Sequence, residues 1–140
     1  MLNKKEEKAL RSVPLFEDLS KAAFKRVVRE MDEELYSSGQ TIVKQGDPGG
    51  RFYLILEGRA KVKVGSKPAA KLGAGSYFGE ISLLDKQPRS ATVEAETQVR
   101  ALSITSWNFF TLLQEEWAMT HKVLLGLCRT IRTLDRRTLG

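Results

Sequence analysis

At 140 residues, 41% hydrophobic and 29% charged, the chain has the size and balance of one soluble globular domain with a genuine core. Cys128 is its only cysteine, so no internal disulfide forms, which suits a reducing, cytoplasmic setting. The start, Met1-Leu2-Asn3-Lys4-Lys5-Glu6-Glu7-Lys8, lacks the apolar core of a secretory signal, and the longest apolar run, near Phe52 to Leu56, is far too short to span a bilayer.

Met1 to Arg11 is charged and reads as helical or frayed. In Val13-Pro14-Leu15-Phe16 the proline disfavours helix at Val13, and Leu15 and Phe16 are ready to dock on a core. Ser20 is a good N-cap. Ala23, Phe24, Val27, Val28 and Met31 then recur at helical spacing, which predicts a helix from about Lys21 to Met31. After it the period changes. Glu34-Leu35-Tyr36 and Thr41-Ile42-Val43 read as short strands around Ser37-Ser38-Gly39-Gln40, and Gly46-Asp47-Pro48-Gly49-Gly50 is dense turn chemistry. Arg51-Phe52-Tyr53-Leu54-Ile55-Leu56 is β-rich and almost continuously apolar, as a central strand would be.

Glu57-Gly58 turns the chain back. Ala60, Val62 and Val64 alternate with Arg59, Lys61 and Lys63, the period of a half-exposed strand. Gly65-Ser66-Lys67-Pro68 reads as a turn and Ala70-Lys71-Leu72 as a short strand. Ala91 to Ala95 and Val99 to Ile104 are two more strands. Short strands with a turn about every 8–12 residues predict an all-β barrel or jelly roll over about 33–104. No low-complexity tract or linker divides the chain, so 1–140 reads as a single domain, mainly β with helical ends.

Thr105 or Ser106 caps the next helix, Trp107 to Gln114, with Phe109, Phe110, Leu112 and Leu113 facing inward. Glu115-Glu116 suit the entry of a further helix, since acids complement the positive end of its dipole. The two helices together cover about 106–137. The last carries Leu124, Leu127, Ile131 and Leu134 as one apolar stripe, beside Arg129, Arg132, Arg136 and Arg137. That stripe packs on the barrel, covers a ligand, or meets a partner helix in a homodimer. Cys128 reads as a small buried apolar group, and His121 as a surface or packing residue.

The net charge of +6 could serve nucleic acid, anionic lipid or a phosphorylated ligand. Its distribution matters more than its total. At both ends of the chain the cations read as solvated helix faces. No helix-turn-helix pattern follows residue 94, so no DNA-binding element is expected within the chain.

The densest chemistry lies in Phe78-Gly79-Glu80-Ile81-Ser82-Leu83-Leu84-Asp85-Lys86-Gln87-Pro88-Arg89-Ser90-Ala91-Thr92-Val93-Glu94. Read physically, it is an anion site. Gly79 lets the backbone approach a ligand closely or take a positive φ. Ile81-Ser82-Leu83-Leu84 is long enough for one helical turn, whose free N–H groups attract phosphate. Pro88 fixes the approach to Arg89, whose fork can give paired hydrogen bonds to phosphate oxygens. The Ser90 hydroxyl adds one more polar group.

This stretch resembles the phosphate-binding cassette of cyclic nucleotide-binding domains, through F-G-E-I-S-L-L and then P-R-S-A-T-V. The short connection is more like kinase regulatory subunits and cyclic nucleotide-regulated channels than the catabolite activator-type regulators. Val13-Pro14-Leu15-Phe16 and Leu19-Ser20 are similar to the family's entry motif, and Gly39, Gly46, Asp47, Gly58 and Gly75 fall where its corners fall. The resemblance implies an eight-stranded β-roll, with a helical piece before it and two helices after.

It also implies a 3′,5′-cyclic nucleotide ligand, a sensor role with no catalysis, and an effector that the sequence does not identify. Arg89 would meet the exocyclic oxygens, helped by amides near Ile81, Ser82 and Ala91 and by the Ser90 hydroxyl. Glu80 would accept the ribose 2′-OH, and Phe78 and Gly79 complete the ligand-binding set. Ser90 stands where threonine often accompanies guanine preference, so cAMP is the expected ligand and cGMP the alternative. Two other readings remain: a β-roll that only binds protein, and the N-terminal part of a catabolite activator-type regulator. A metal enzyme needs clustered histidines and carboxylates, which a single histidine does not provide.

Overall fold

The computed structural model describes residues 2–139, with side chains through Asp135, so those of Arg136 and Arg137 lie outside the described set. In chain order the elements are α1 (Lys4–Arg11), α2 (Lys21–Arg29), β1 (Asp32–Tyr36), β2 (Thr41–Val43), β3 (Arg51–Glu57), β4 (Ala60–Val64) and β5 (Lys67–Leu72). They continue as β6 (Tyr77–Phe78), α3 (Glu80–Asp85), β7 (Thr92–Ala95), β8 (Val99–Thr105), α4 (Ser106–Glu115) and α5 (Trp117–Leu139). Two compact units result: Met31–Phe109, and Met1–Glu30 with Phe110–Gly140.

The first unit is the β-roll. Its eight strands form two antiparallel four-stranded sheets, ordered β1-β8-β3-β6 and β2-β7-β4-β5. Ile55, Val99 and Ala101 from one sheet and Ala60, Val93 and Ala95 from the other share one buried core. The period-two reading of β4 holds for Ala60 and Val62, which pack on that core, and for Lys63, which turns outward to Glu94 at 3.1 Å; it fails at Val64, which is exposed beyond a register shift after Val62. β3 reads as continuously apolar because both its faces are covered. Phe52 and Leu54 are buried as fully as Ile55.

Some boundaries differ from the sequence reading. α2 stops at Arg29, because Asp32 already pairs with Ser103 in β1. Lys67 and Pro68 belong to β5 and not to a turn, since Val64 and Lys63 pair with them. Pro68 is tolerated there because β5 is an edge strand.

The second unit is helical. Asn3 and Glu6 form a reciprocal capping box at α1, at 2.8 and 3.1 Å. Ser20 Oγ caps α2 by accepting from Ala23 N–H at 3.1 Å. Leu10, Val13, Leu15, Phe16, Phe24 and Val27 are buried, together with Met119 and Val123 of α5. Gly126 lets α5 lie directly on the Val13–Phe16 segment, since a Cβ there would sit 2.0 Å from the Pro14 carbonyl oxygen. Arg129 pairs with Glu17 and Asp18, and Arg26 with Glu115 and Glu116.

The stripe expected on α5 is therefore not the packed one. Leu124, Ile131 and Leu134 are 48%, 57% and 53% exposed, and Leu127 is half-buried. The inward seam runs through Met119, Val123 and Gly126, whose small residue does not register in an apolar count. Cys128 is exposed rather than buried for the same reason of register. In α4, Phe109 and Leu112 are buried as expected, whereas Phe110 and Leu113 are only half-buried.

Candidate functional site

The cassette begins where β6 pairs with β3. Phe78 lies opposite Tyr53, and their rings stack at 4.9 Å. Gly79 then turns with φ +84°. A Cβ there would stand 2.5 Å from the Arg51 carbonyl oxygen and 2.7 Å from Arg89 Nη1. Both properties asked of glycine are thus used: the left-handed backbone and the close approach. α3 follows as a short turn whose first internal bond is Leu83 N–H to Gly79 O, 2.8 Å. The Ile81 and Ser82 amides precede that ladder and are free for another acceptor.

Arg89 is held from both sides of its backbone. Its N–H donates to Asp47 O at 2.9 Å, and its carbonyl accepts from Gly46 N–H at 2.9 Å. Its Nη2 donates to Arg51 O at 2.7 Å, and its guanidinium sits 5.8 Å from the centre of the Tyr53 ring. Nε is buried with no hydrogen-bond partner among the described residues. Burial lowers the Arg89 pKa from its ordinary value; Tyr53 opposes that shift and the Arg51 charge adds to it.

Glu80 is half-buried and makes no ion pair or hydrogen bond among the described residues. Desolvation raises its carboxyl pKa above the ordinary value. A guanidinium with an orphaned donor and a carboxylate with an orphaned acceptor thus line one open cavity of about 420 Å³. All eight expected residues, Phe78, Gly79, Glu80, Ile81, Ser82, Arg89, Ser90 and Ala91, are on its wall. Val43, Val62, Leu72 and Val93 supply an apolar side. The size suits a small organic ligand, and the division into polar and apolar walls suits one with an anionic and a flat end.

The sequence reading missed the support behind the cassette. Ser82 Oγ accepts from Gly50 N–H at 3.1 Å. A Cβ on Gly49 would collide with Ser82 Oγ at 1.8 Å and with Gln87 O at 2.2 Å. The 46–50 stretch reads as a turn in sequence, and its glycines were the only available signal that a second segment presses against it. Nothing in the sequence marks Arg51 and Tyr53 as neighbours of Arg89, since both sit inside a strand-like run. No group of three His, Cys, Asp or Glu side chains that could hold a metal occurs among the described residues.

The family model for the cyclic nucleotide-binding domain matches residues 33–116, and the chain belongs to that family. It is a family of regulatory binding modules rather than of catalysts. A cyclic nucleotide-gated potassium channel of Rhizobium etli is 40% identical over 98 residues, covering 70% of this chain and 27% of the channel. A cAMP-dependent protein kinase regulatory subunit of Mycosarcoma maydis is 37% identical over 116 residues, covering 76% of this chain and 22% of that protein. The chain thus spans about a quarter of the length of these curated relatives. The N-terminal domain of a transcriptional regulator from Streptomyces coelicolor superposes with a TM-score of 0.84 at 28% identity, covering 91% of this chain and 95% of that one. No described helix is long and apolar enough to cross a membrane.

Proposed function

We propose that the protein is a cyclic nucleotide sensor that binds cAMP in the 78–91 cassette, with cGMP as the alternative ligand. The observation that carries this reading is the buried Nε of Arg89, without a hydrogen-bond partner among the described residues, in the same cavity as the Glu80 carboxylate, likewise without one. The cyclic phosphodiester meets Arg89 and the amides of Ile81, Ser82 and Ala91, with the Ser90 hydroxyl alongside. Glu80 accepts the ribose 2′-OH, and the apolar wall takes the base. Ser90 keeps a hydroxyl without the methyl group of threonine, which favours adenine over guanine.

Binding acts on the rest of the chain through differential affinity: nucleotide moves α5 only if it binds one helix position better than another. The exposed side of α5 carries Trp117, Leu124 and Ile131, each seven residues apart, which is the spacing of a two-helix seam. We assign that seam to a second copy of the chain, in a cytoplasmic setting that keeps the exposed Cys128 thiol reduced. A second reading rests on the likeness to the Streptomyces regulator domain: the module regulates a DNA-binding segment in a longer protein. The reading frame of the whole gene distinguishes the two.

Calorimetric titration with cAMP and cGMP tests the central reading. Arg89→Ala should weaken binding by about one to two decades, from roughly 1.5–3 kcal/mol for charge-assisted hydrogen bonds. No heat with either nucleotide would leave a β-roll that only binds protein. Unchanged hydrogen exchange in α5 at saturating nucleotide would remove the helix movement alone. Sedimentation of wild type against Leu124→Glu reads the homodimer separately.

A further inference from the structure

A second cavity, about 310 Å³, shares Arg89 and Val43 with the first. Lys44, Arg51 and Arg89 line it, against one carboxylate, Asp47. Lys44 is exposed and makes no ion pair among the described residues. Arg51 spends only Nη1 on protein: it donates to Ser103 Oγ at 2.7 Å and faces Glu34 and Asp32 at 3.4 and 3.6 Å. Its remaining guanidinium nitrogens have no acceptor among the described residues. Thr105, also on the wall, already accepts from Asn108 N–H at 3.2 Å, which leaves its hydroxyl proton free to donate. Glu34 and Asp32 do not line this cavity. Three cationic residues and a threonine therefore line this space with one acidic residue, Asp47.

We infer that this second cavity is a site for a small tetrahedral oxyanion of the phosphate class, held by Lys44 and Arg51 and sharing Arg89 with the nucleotide cassette. Arg51 meets Glu34 and Asp32 through Nη1, and an oxyanion on this side would take donors of the two guanidiniums that those carboxylates do not use. A guanidinium engaged by an anion on this side is less available to a cyclic phosphate on the other. The two ligands then oppose each other's binding, by the same factor in each direction. The site stands without the nucleotide reading; only the coupling rests on it.

The test is a phosphate titration of the nucleotide-free full chain, followed by amide NMR shifts and matched against chloride at equal ionic strength. Shifts centred on 44–51 are expected, with an affinity that Lys44→Gln reduces about tenfold. Sulfate should reproduce them. Shifts confined to 79–82 and 90–91, surviving in Lys44→Gln, place phosphate in the cassette and overturn the proposal. So does a response equal to that of chloride. In a second arm, phosphate should weaken cAMP binding in wild type, and Lys44→Gln, whose cAMP affinity without phosphate should be unchanged, should need about tenfold more phosphate for the same effect. Equal phosphate sensitivity in both proteins overturns the coupling. If cAMP does not bind at all, the first arm still decides the anion site.

Discussion

Arg89 Nη2 donates to the backbone carbonyl of Arg51 at 2.7 Å, which anchors the ligand-facing side chain to a central strand of the roll. The tether leaves Nε and Nη1 to serve a ligand. A lysine at 89 keeps the charge but has no rigid fork with which to reach the strand carbonyl and a phosphate together. Arg89→Lys is therefore expected to lose about tenfold in cyclic nucleotide affinity, less than the loss in Arg89→Ala. Calorimetry on the two variants checks the order; wild-type affinity in Arg89→Lys would mean the tether contributes nothing, and equal losses would mean the charge without the fork contributes nothing.

Gly79→Ala should damage both fold and site. The φ of +84° strains any L side chain, and the new Cβ would meet the Arg51 carbonyl oxygen at 2.5 Å. A destabilisation of roughly 1–3 kcal/mol is expected, read from the urea midpoint. Ligand affinity should fall as well, because Arg89 Nη1 lies 2.7 Å from the same position.

Glu80 predicts an unusual pH profile. Burial raises its carboxyl pKa, so the folded state holds this proton more tightly than the unfolded chain. Ionised Glu80 therefore costs stability above its folded pKa, and stability declines as pH rises from the ordinary carboxylate value through the raised one. Glu80→Gln should melt higher than wild type at neutral pH, with the difference fading below the ordinary carboxylate value. The same variant should bind nucleotide less well. A variant that melts lower than wild type at neutral pH would contradict this sign.

Gly126→Ala tests how α5 is seated in the helical unit. Its Cβ would stand 2.0 Å from the Pro14 carbonyl oxygen, a backbone atom that cannot swing aside. Overpacking of this kind costs about 1–3 kcal/mol. Hydrogen exchange over 117–135 should quicken, while exchange in β3 and β8 stays as in wild type. Unaltered protection in α5 would show that the contact gives way without cost.

What the sequence by itself determined is what depends on neighbours along the chain. The alternation in β4, the Ser20 cap and the turn at Gly79 are short-range matters of side-chain period, capping hydroxyls and positive φ. So is the eight-residue cassette, whose members stand within fourteen positions of one another. Only the tertiary structure decided which distant groups complete that site and which side of α5 is covered. Arg51 and Tyr53 reach Arg89 because β3 pairs with β6, and the 46–50 turn backs Ser82 because Gly49 admits close approach and Gly50 N–H donates to Ser82 Oγ. The leucine rhythm of α5 likewise left open whether its stripe is covered within the chain, and Leu124, Ile131 and Leu134 are exposed. Packing follows how near two backbones can come, and at Gly126 a missing side chain counts for more than an apolar one.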